Sequence, residues 1–290
     1  MRRMSRESLR IDHARYVLTL DRERRIIADG SILVENGRIS RIGKAADLAG
    51  LPADRVIDAR QFVVTPGFVN GHMHISYGHV VRGIFPDDVG SPLPHVFKLQ
   101  MAMTEEEEYA SSLLGIVEML RNGTVCFVDP GSTKFPDACL QAYEDSGIRV
   151  ILGECVTDRE APFPLPRYPA AEAVDRTAKF LEKWHGRLDG RVVAWAMPFS
   201  PETCSVELLQ ALKRLADQHR TSLTLHHNSG PAARRDYQAK HGMRPTEYLE
   251  SIGVTGGNVV LAHVLGIVDA EIDCLARTGV SYPRSRWPIV

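Results

Sequence analysis

The chain has 290 residues and a formal net charge of -1, with 44% hydrophobic and 24% charged residues. This composition is typical of a soluble globular protein, and the length suits two domains or one large barrel with an appendage. A charge this close to zero gives no reason to expect a nucleic acid or an anionic membrane as a partner. No apolar run approaches the roughly 20 residues that span a bilayer.

The cysteines are scattered along the chain, and no two of them form a CxxC pair. An odd number of cysteines at these spacings favours reduced thiols over a disulfide framework. The basic N-terminus lacks the continuous apolar core of a signal peptide. We therefore expect a cytoplasmic protein. The cysteines are Cys126, Cys139, Cys155, Cys204 and Cys274.

Residues 14–43 predict short strands joined by turns. Asn36 and Gly37 stand between two alternating runs in "SILVENGRISRIG". Both central residues of such a two-residue hairpin turn need positive φ, which asparagine and glycine tolerate. We therefore predict a small antiparallel sheet within residues 1–61, followed by a larger domain over residues 62–290.

From residue 62 on, short apolar runs alternate with helical segments. Strands that are apolar on both faces and alternate with helices indicate a parallel sheet covered by helices. Seven such units favour a (β/α)8 barrel over a doubly wound sheet, and no GxGxxG motif suggests a dinucleotide site. Because no eighth strand is visible, the barrel is predicted to be incomplete. The predicted strands are 62–75, 124–130, 149–156, 191–200, 222–228, 258–264 and 279–283.

Two helices between these strands are especially clear. Thr104 can cap the helix of "TEEEEYASSLLGIVEMLRNG", Glu107 completes a capping box, and Gly123 follows its end. The acidic run at its start complements the helix dipole, so we do not assign it to a metal. Residues 205–219 predict a second amphipathic helix.

Two pairs of histidines suggest a metal site. His72 and His74, in "FVNGHMHI", are two residues apart, so on a strand both imidazoles project to one side and Met73 to the other. His226 and His263 stand near the ends of the fifth and sixth predicted strands. Each alone could be a core histidine bonded to a backbone carbonyl. Together they stand where the mouth of a barrel lies, and neutral imidazoles suit zinc or another borderline divalent metal.

At these residues the chain resembles a known family. "VVTPGFVNGHMHI", preceded by "VIDA", is similar to the first-strand motif of the amidohydrolase superfamily. The branch it resembles holds cytosine and guanine deaminases, adenosine-type deaminases and s-triazine hydrolases. "LTLHHN" and "NVVLAHVLGIVDAEIDCLARTGVS" match its fifth- and sixth-strand motifs. The resemblance covers nearly the whole chain, which looks like the first two-thirds of a family member, and it makes the N-terminal sheet part of a β-sandwich.

The resemblance implies roles for four histidines. His72, His74 and His226 match metal ligands, with His227 as the alternative to His226, and His263 matches a residue that contacts substrate or the attacking water. The implied reaction is metal-assisted hydrolysis of a small cyclic or heterocyclic compound. Binuclear relatives carry a carboxylated lysine on the fourth strand, which "RVVAWAMPFS" lacks. We therefore expect one divalent metal ion, zinc or iron.

The chain departs from the family pattern in two places. Where the branch has a glutamate three residues after the fifth-strand histidine, this chain has Ser229, which cannot act as a carboxylate acid. The aspartate that ends the family's eighth strand has no counterpart, because the chain stops before it. We therefore expect these 290 residues to be poorly active on their own.

Three further residues are predicted to contact the substrate. Asn228 and Ser229 follow the fifth-strand histidines, and Arg82 opens a segment, 82–100, expected to form a long loop over the mouth. Phe85, Asp87 and Asp88 lie in the same segment and are weaker candidates, since a plain surface loop explains them equally well. Asp129, at the end of the second strand, could orient a metal-bound histidine or cap the next helix.

Three functional hypotheses follow. The leading one is a mononuclear deaminase-like hydrolase of C–N bonds in a small heterocycle. The second keeps the fold but releases another group, such as an alkylamine, a halide or a ring amide, and the lost glutamate favours it. The third is a barrel that binds metal without catalysis. The cytidine-deaminase fold is excluded, because the chain has neither HxE nor PCxxC. A homo-oligomer remains open.

Overall fold

The structure is a computed structural model that describes residues 7–84, 93–131, 133–161 and 164–283. These residues form two compact units, which meet in the chain between Gly67 and Phe68. The division predicted from the sequence lies between residues 61 and 62. In chain order the elements are β1 (Leu9–Leu18), β2 (Ile26–Glu35), β3 (Arg38–Lys44), α1 (Ala45–Leu48), β4 (Arg55–Asp58), β5 (Val63–Val64), β6 (Phe68–Asn70), α2 (Leu93–Ala102), α3 (Glu105–Arg121), β7 (Thr124–Asp129), α4 (Pro136–Ser146), β8 (Arg149–Leu152), β9 (Cys155–Val156), α5 (Ala170–Trp184), α6 (Arg187–Gly190), β10 (Val192–Ala194), β11 (Met197–Pro198), α7 (Val206–Gln218), β12 (Leu223–His227), α8 (Pro231–His241), α9 (Pro245–Ser251), β13 (Val259–His263) and α10 (Asp269–Thr278).

The first unit is a five-stranded sheet. β1, β2 and β3 pair antiparallel, and Asn36 and Gly37 turn the β2–β3 hairpin with φ of 53° and 72°. The predicted hairpin and its turn type are therefore confirmed. β4 and β5 both pair with β1 in the parallel direction, which the sequence did not predict. The buried core of this unit comprises Ala14, Val17, Ile32 and Ala59.

The second unit is built from parallel strands that stand in chain order. β6, β7, β8 and β10 form one sheet, and β9 and β11 continue the strands of β8 and β10. A parallel bridge from Ala196 to Leu223 leads on to β12 and β13, and another joins Val260 to Ser281. The alternation of strands and helices agrees with the predicted barrel type. Within the described ranges, no strand pairing closes the ring between β6 and Ser281.

Two segments differ from the prediction. The expected strand over 62–75 is divided into β5 and β6 by Pro66, which has no N–H to donate to a ladder. His72 and His74 therefore follow β6 instead of lying within a strand. In the segment expected to be a loop, residues 93–102 form α2. Phe85, Asp87 and Asp88 lie outside the described residues.

The helices of the second unit cover the strands with apolar faces. The capping box of α3 is present, with the Glu107 backbone N–H donating to Thr104 Oγ1 at 3.2 Å and the Thr104 N–H donating to Glu107 Oε2 at 2.8 Å. α7 begins after Ser205, whose hydroxyl accepts from the backbone N–H of Leu208. Both predicted helices are confirmed. No helix in the described ranges is long and apolar enough to cross a membrane. The largest buried side chains of this core include Trp184, Tyr143, Phe127, Leu208 and Leu212.

Candidate metal centre

The segment after β6 brings two imidazoles together. The backbone N–H of Met73 donates to the Val128 carbonyl at 2.8 Å, which carries the β6–β7 ladder past the end of the strand. Met73 itself packs against the hydrophobic core. His72 and His74 lie on the other side, with ring centroids 4.9 Å apart and nearly perpendicular planes. The predicted alternation thus holds beyond the strand.

β12 supplies the third imidazole of the cluster. The backbone N–H and the Nδ1–H of His226 both donate to the Phe199 carbonyl, each at 2.9 Å. This fixes the proton on Nδ1 and leaves the lone pair on Nε2, as is usual for a metal-binding histidine. His226 Nε2 lies 3.2 Å from His74 Nε2. Two nitrogens on one tetrahedral zinc, each bound at 2.0–2.1 Å, are about 3.3 Å apart.

The three histidines form a set that fits one metal ion. Ligand atoms of His72, His74 and His226 all lie within 4.8 Å of one another. The Nε2 atom of His72 is buried and has no hydrogen-bond partner among the described residues, as expected of an atom placed to bind an ion. His227 points away from the cluster, and its Nε2 lies 3.2 Å from Thr246 Oγ1. Of the two neighbouring histidines, the structure brings His226 to the cluster.

His263 lies at the end of β13 and completes a group of four rings. Its ring centroid is 4.9 Å from that of His72 and 5.4 Å from that of His226. Its Nδ1 is buried, and within the described ranges it has no hydrogen-bond partner. His263 thus lies beside the three converging histidines, and its role toward substrate or water stays a prediction.

Burial keeps the four imidazoles neutral. It lowers the pKa of His72 and of His74 well below 6.5, and the neighbouring imidazoles lower both further. Burial and the proximity of His263 lower the pKa of His226 to about 3. Burial also lowers the pKa of His263. Because a metal binds the neutral imidazole, the lone pairs are available well into the acidic range.

The three predicted substrate contacts differ in how deeply they are buried. Asn228 is buried, and neither of its side-chain polar atoms has a hydrogen-bond partner in the described part of the chain. Ser229 is exposed at the end of β12. Arg82 is also exposed, and its Nη1 donates to both carboxylate oxygens of Glu118, at 3.0 and 3.1 Å. Glu118 also pairs with His79. Asn228 alone of the three is buried, and it lies two residues after His226 in the chain.

Asp129 forms a turn at the end of β7. Its carboxylate is fully buried, and Oδ1 accepts the backbone N–H of Gly131 at 3.0 Å. The prediction that Asp129 caps the next helix is wrong, because α4 begins after Phe135 and has no side-chain cap.

Two residues at the cluster were not predicted. Phe199 accepts both His226 donors, and its ring centroid lies 4.4 Å from that of His226. Tyr77 stacks on His74 at a centroid distance of 5.2 Å. A signal existed for each: Phe199 ends the strand beside β12, and Tyr77 follows His74 by three residues, about one helical turn. Both belong to a buried apolar group that also contains Val96, Phe97, Met103 and Cys155.

Comparison with known proteins identifies the family. The model of the amidohydrolase family matches residues 63–285, which is most of the chain. The chain therefore belongs to the amidohydrolase family, whose members depend on a metal. The predicted resemblance and the predicted TIM-barrel type of fold are confirmed.

Curated relatives of this chain are deaminases. The 5'-deoxyadenosine deaminase of Methanobrevibacter smithii is 34% identical over 253 residues, which are 87% of this chain and 56% of the relative. The 5-methylthioadenosine/S-adenosylhomocysteine deaminase of Syntrophobacter fumaroxidans is 31% identical over 271 residues, which are 91% and 59% of the two chains. The chain thus spans less than two-thirds of the length of either relative.

A solved structure supports the fold. The atrazine chlorohydrolase of Arthrobacter aurescens TC1, solved with zinc, superposes with a TM-score of 0.81 and 22% sequence identity. The match covers 96% of this chain and 65% of that one. At this identity the likeness concerns the fold.

Proposed function

We propose that the protein hydrolyses a C–N bond of a small heterocyclic compound in a deaminase-like reaction. One zinc ion, held by His72, His74 and His226, is the proposed cofactor. The observation that carries the proposal is the convergence of three neutral imidazoles, one of them with its tautomer fixed by the Phe199 carbonyl. Deaminases among the curated relatives support the reaction class.

The donor set suits a borderline divalent ion. Three neutral imidazole nitrogens can bind either zinc or ferrous iron. Zinc is proposed because the structurally similar atrazine chlorohydrolase was solved with zinc. A metal bound here would polarise a water and the reacting group of the substrate as a Lewis acid. The chain contributes the burial that keeps the imidazoles unprotonated and the Phe199 carbonyl that orients His226.

His263 is the proposed catalytic residue. It lies against His72 and His226, and it has a buried ring nitrogen that no described residue contacts by a hydrogen bond. A neutral imidazole can donate or accept one proton at this atom. We assign to it the stabilisation of the charge that develops on the substrate during attack by water.

Asn228 is the proposed recognition group for the substrate ring. An asparagine amide offers donors and an acceptor side by side, a pattern that matches a ring nitrogen next to an exocyclic amine. Both atoms are buried and lack partners among the residues that the structure describes. Arg82 and Ser229 are retained as weaker substrate contacts, since both are exposed. Ser229 also keeps the second candidate function open, a hydrolase that releases an alkylamine, a halide or a ring amide.

Metal content and turnover together test the proposal. The purified 290-residue chain is loaded with zinc, or with iron in parallel, and assayed for ammonia, amine and chloride release. The panel is 5'-deoxyadenosine, 5-methylthioadenosine, guanine, aminotriazines and chlorotriazines. His72→Ala removes a proposed ligand, and His241→Ala is the matched control because His241 is exposed on α8.

Each outcome separates the candidates. One zinc per chain and ammonia release, both lost in His72→Ala and kept in His241→Ala, support the deaminase-like reaction. Release of chloride or an alkylamine alone favours the second candidate. Stoichiometric zinc without turnover of any compound favours a metal-binding barrel without catalysis. Enzyme is used at high concentration so that slow turnover is also detected.

Cytoplasmic location is part of the proposal. All five cysteines are free, and four of them are buried. Free thiols of this kind are typical of a reducing compartment.

A further inference from the structure

The ends of β12 and β13 have an unusual backbone. Asn228, His263 and Val264 have φ of 49°, 74° and 50°, in the left-handed region that favours glycine. This conformation is especially unfavourable for a β-branched residue such as Val264. Such residues keep a left-handed conformation only where the surrounding structure holds them. Contacts around these two strand ends must therefore hold the backbone in this conformation.

Hydrogen bonds join the two strand ends to each other. The backbone N–H of Val264 donates to the His227 carbonyl, and that of Leu265 donates to the Asn228 carbonyl, both at 3.0 Å. The carbonyl of Gly266, further along the same turn, accepts from Arg244 Nη2 at 3.0 Å. The position of His263 thus depends on His227 from one side and on Arg244 from the other.

One buried carboxylate connects both sides. Glu271, on α10, has a side chain with no exposed surface. It accepts from Arg244 Nε at 2.7 Å and from the backbone N–H of Thr246 at 3.2 Å. The Thr246 hydroxyl shares a hydrogen bond with His227 Nε2 at 3.2 Å. We call Glu271, Arg244, Thr246 and His227 the Glu271 cluster.

The cluster lies behind the proposed metal centre. His227 is the neighbour of His226 in the chain, and the two side chains have different partners, Thr246 for one and Phe199 for the other. A shift of the His227 ring changes the end of β12, and through the Val264 and Leu265 amides it changes the turn that carries His263. None of the four residues belongs to the group of converging ligands.

We propose that Thr246 and Glu271 are positioning residues that set the imidazoles of His226 and His263 toward each other, and so control metal affinity without touching the metal or the substrate. This inference rests on the proposed metal centre. Partners that orient a metal-binding residue typically change metal affinity 10- to 100-fold when they are removed. Because the contact here acts through one further residue, the lower end of that range is expected.

Thr246→Val tests the inference, because valine keeps the shape of the side chain and removes the hydroxyl. Thr246→Ser keeps the hydroxyl. The matched control is Thr177→Val, which replaces another buried threonine, on α5, whose hydroxyl donates to Ala173. Zinc affinity is measured by competition with a chromophoric chelator, and the imidazole nitrogens of the metal-free protein are followed in ¹H–¹⁵N spectra.

Thr246→Val is expected to lose zinc affinity roughly tenfold. Thr246→Ser and Thr177→Val are expected to keep a zinc affinity close to that of the wild-type protein. Among the three threonine variants, only Thr246→Val should shift the imidazole signals of His226 and His263. Glu271→Gln, which weakens the pairing with Arg244, should shift the same signals. Equal zinc affinity and unchanged signals in Thr246→Val would overturn the inference, as would equal losses in the valine and serine variants.

These readouts separate the positioning role from the reaction. Zinc affinity and the imidazole spectra require no substrate, so a chain that binds zinc and hydrolyses nothing still decides the inference. The spectra are recorded without metal, so they show whether Thr246 positions the two imidazoles even if the zinc proposal fails. A role in stability alone would lower the melting temperature in Thr246→Val and leave the His263 signals in place.

Discussion

The burial of His226 predicts an acid-sensitive fold in the metal-free protein. Its pKa is about 3 in the folded chain, against 6.5 for an ordinary histidine. Below pH 6.5 the unfolded chain therefore takes up a proton that the folded chain refuses, and the free energy of unfolding falls as the pH falls. Between pH 6.5 and pH 5 this single residue should cost roughly 2 kcal/mol.

His226→Asn isolates this effect. The asparagine amide can still donate to the Phe199 carbonyl, but it has no proton to gain in this range. Urea titrations of both proteins at pH 7 and pH 5, with a chelator present, give the free energy of unfolding. Tryptophan fluorescence reports on the second unit, because Trp184 and Trp195 both lie in it.

The wild-type protein should lose more stability than His226→Asn over this pH interval, by roughly 2 kcal/mol. His227, with a pKa lowered to about 4 by burial, acts in the same direction in both proteins. Equal losses in the two proteins would refute the reasoning, since they would mean that His226 takes up its proton equally in the folded and unfolded chains.

Three further predictions concern metal binding and packing. Zinc at 100 times its dissociation constant should stabilise the wild-type fold by about 2.7 kcal/mol, and a thermal melt should show no such gain in His72→Ala. Gly71→Ala should cost about 1–3 kcal/mol, because the new Cβ would lie 2.4 Å from Pro283 Cβ. Its control is Gly257→Ala, where nothing lies within 4 Å of the new atom, and equal melting temperatures for the two variants would contradict the packing argument. Thr104→Ala should cost about 1 kcal/mol through loss of the α3 cap, and a change of a few tenths or less in a urea titration would speak against that cap.

Much of the candidate site could be predicted from short-range patterns. The spacing of His72 and His74 predicted that both side chains lie on the same side of the backbone. The prediction holds because the alternation persists past Asn70, through the hydrogen bond from the Met73 N–H to the Val128 carbonyl. The end of β13 gave the position of His263. The same reasoning was wrong for the strand over 62–75, because Pro66 divides it, and for part of the loop expected over 82–100, because residues 93–102 form a helix.

The contacts of Arg82 could not be predicted, because they depend on a distant part of the chain. Its partner Glu118 is 36 residues away on α3. No local pattern indicates that these two side chains meet. The Glu271 cluster is a similar case, since His227 and Thr246 are 19 residues apart and Thr246 and Glu271 a further 25.

The sequence by itself determined the alternation of strands and helices in the second unit, the family and the four histidines that converge, because periodicity and motifs are properties of neighbouring residues. The tertiary structure decided which imidazole of the His226–His227 pair faces the cluster and which nitrogen of His226 carries the proton. That choice depends on the Phe199 carbonyl, 27 residues away, which the parallel register of adjacent strands brings to 2.9 Å from Nδ1. The direction and protonation of a buried imidazole are set by whichever groups the fold places around it, and the surrounding strands, not the motif, supply those groups.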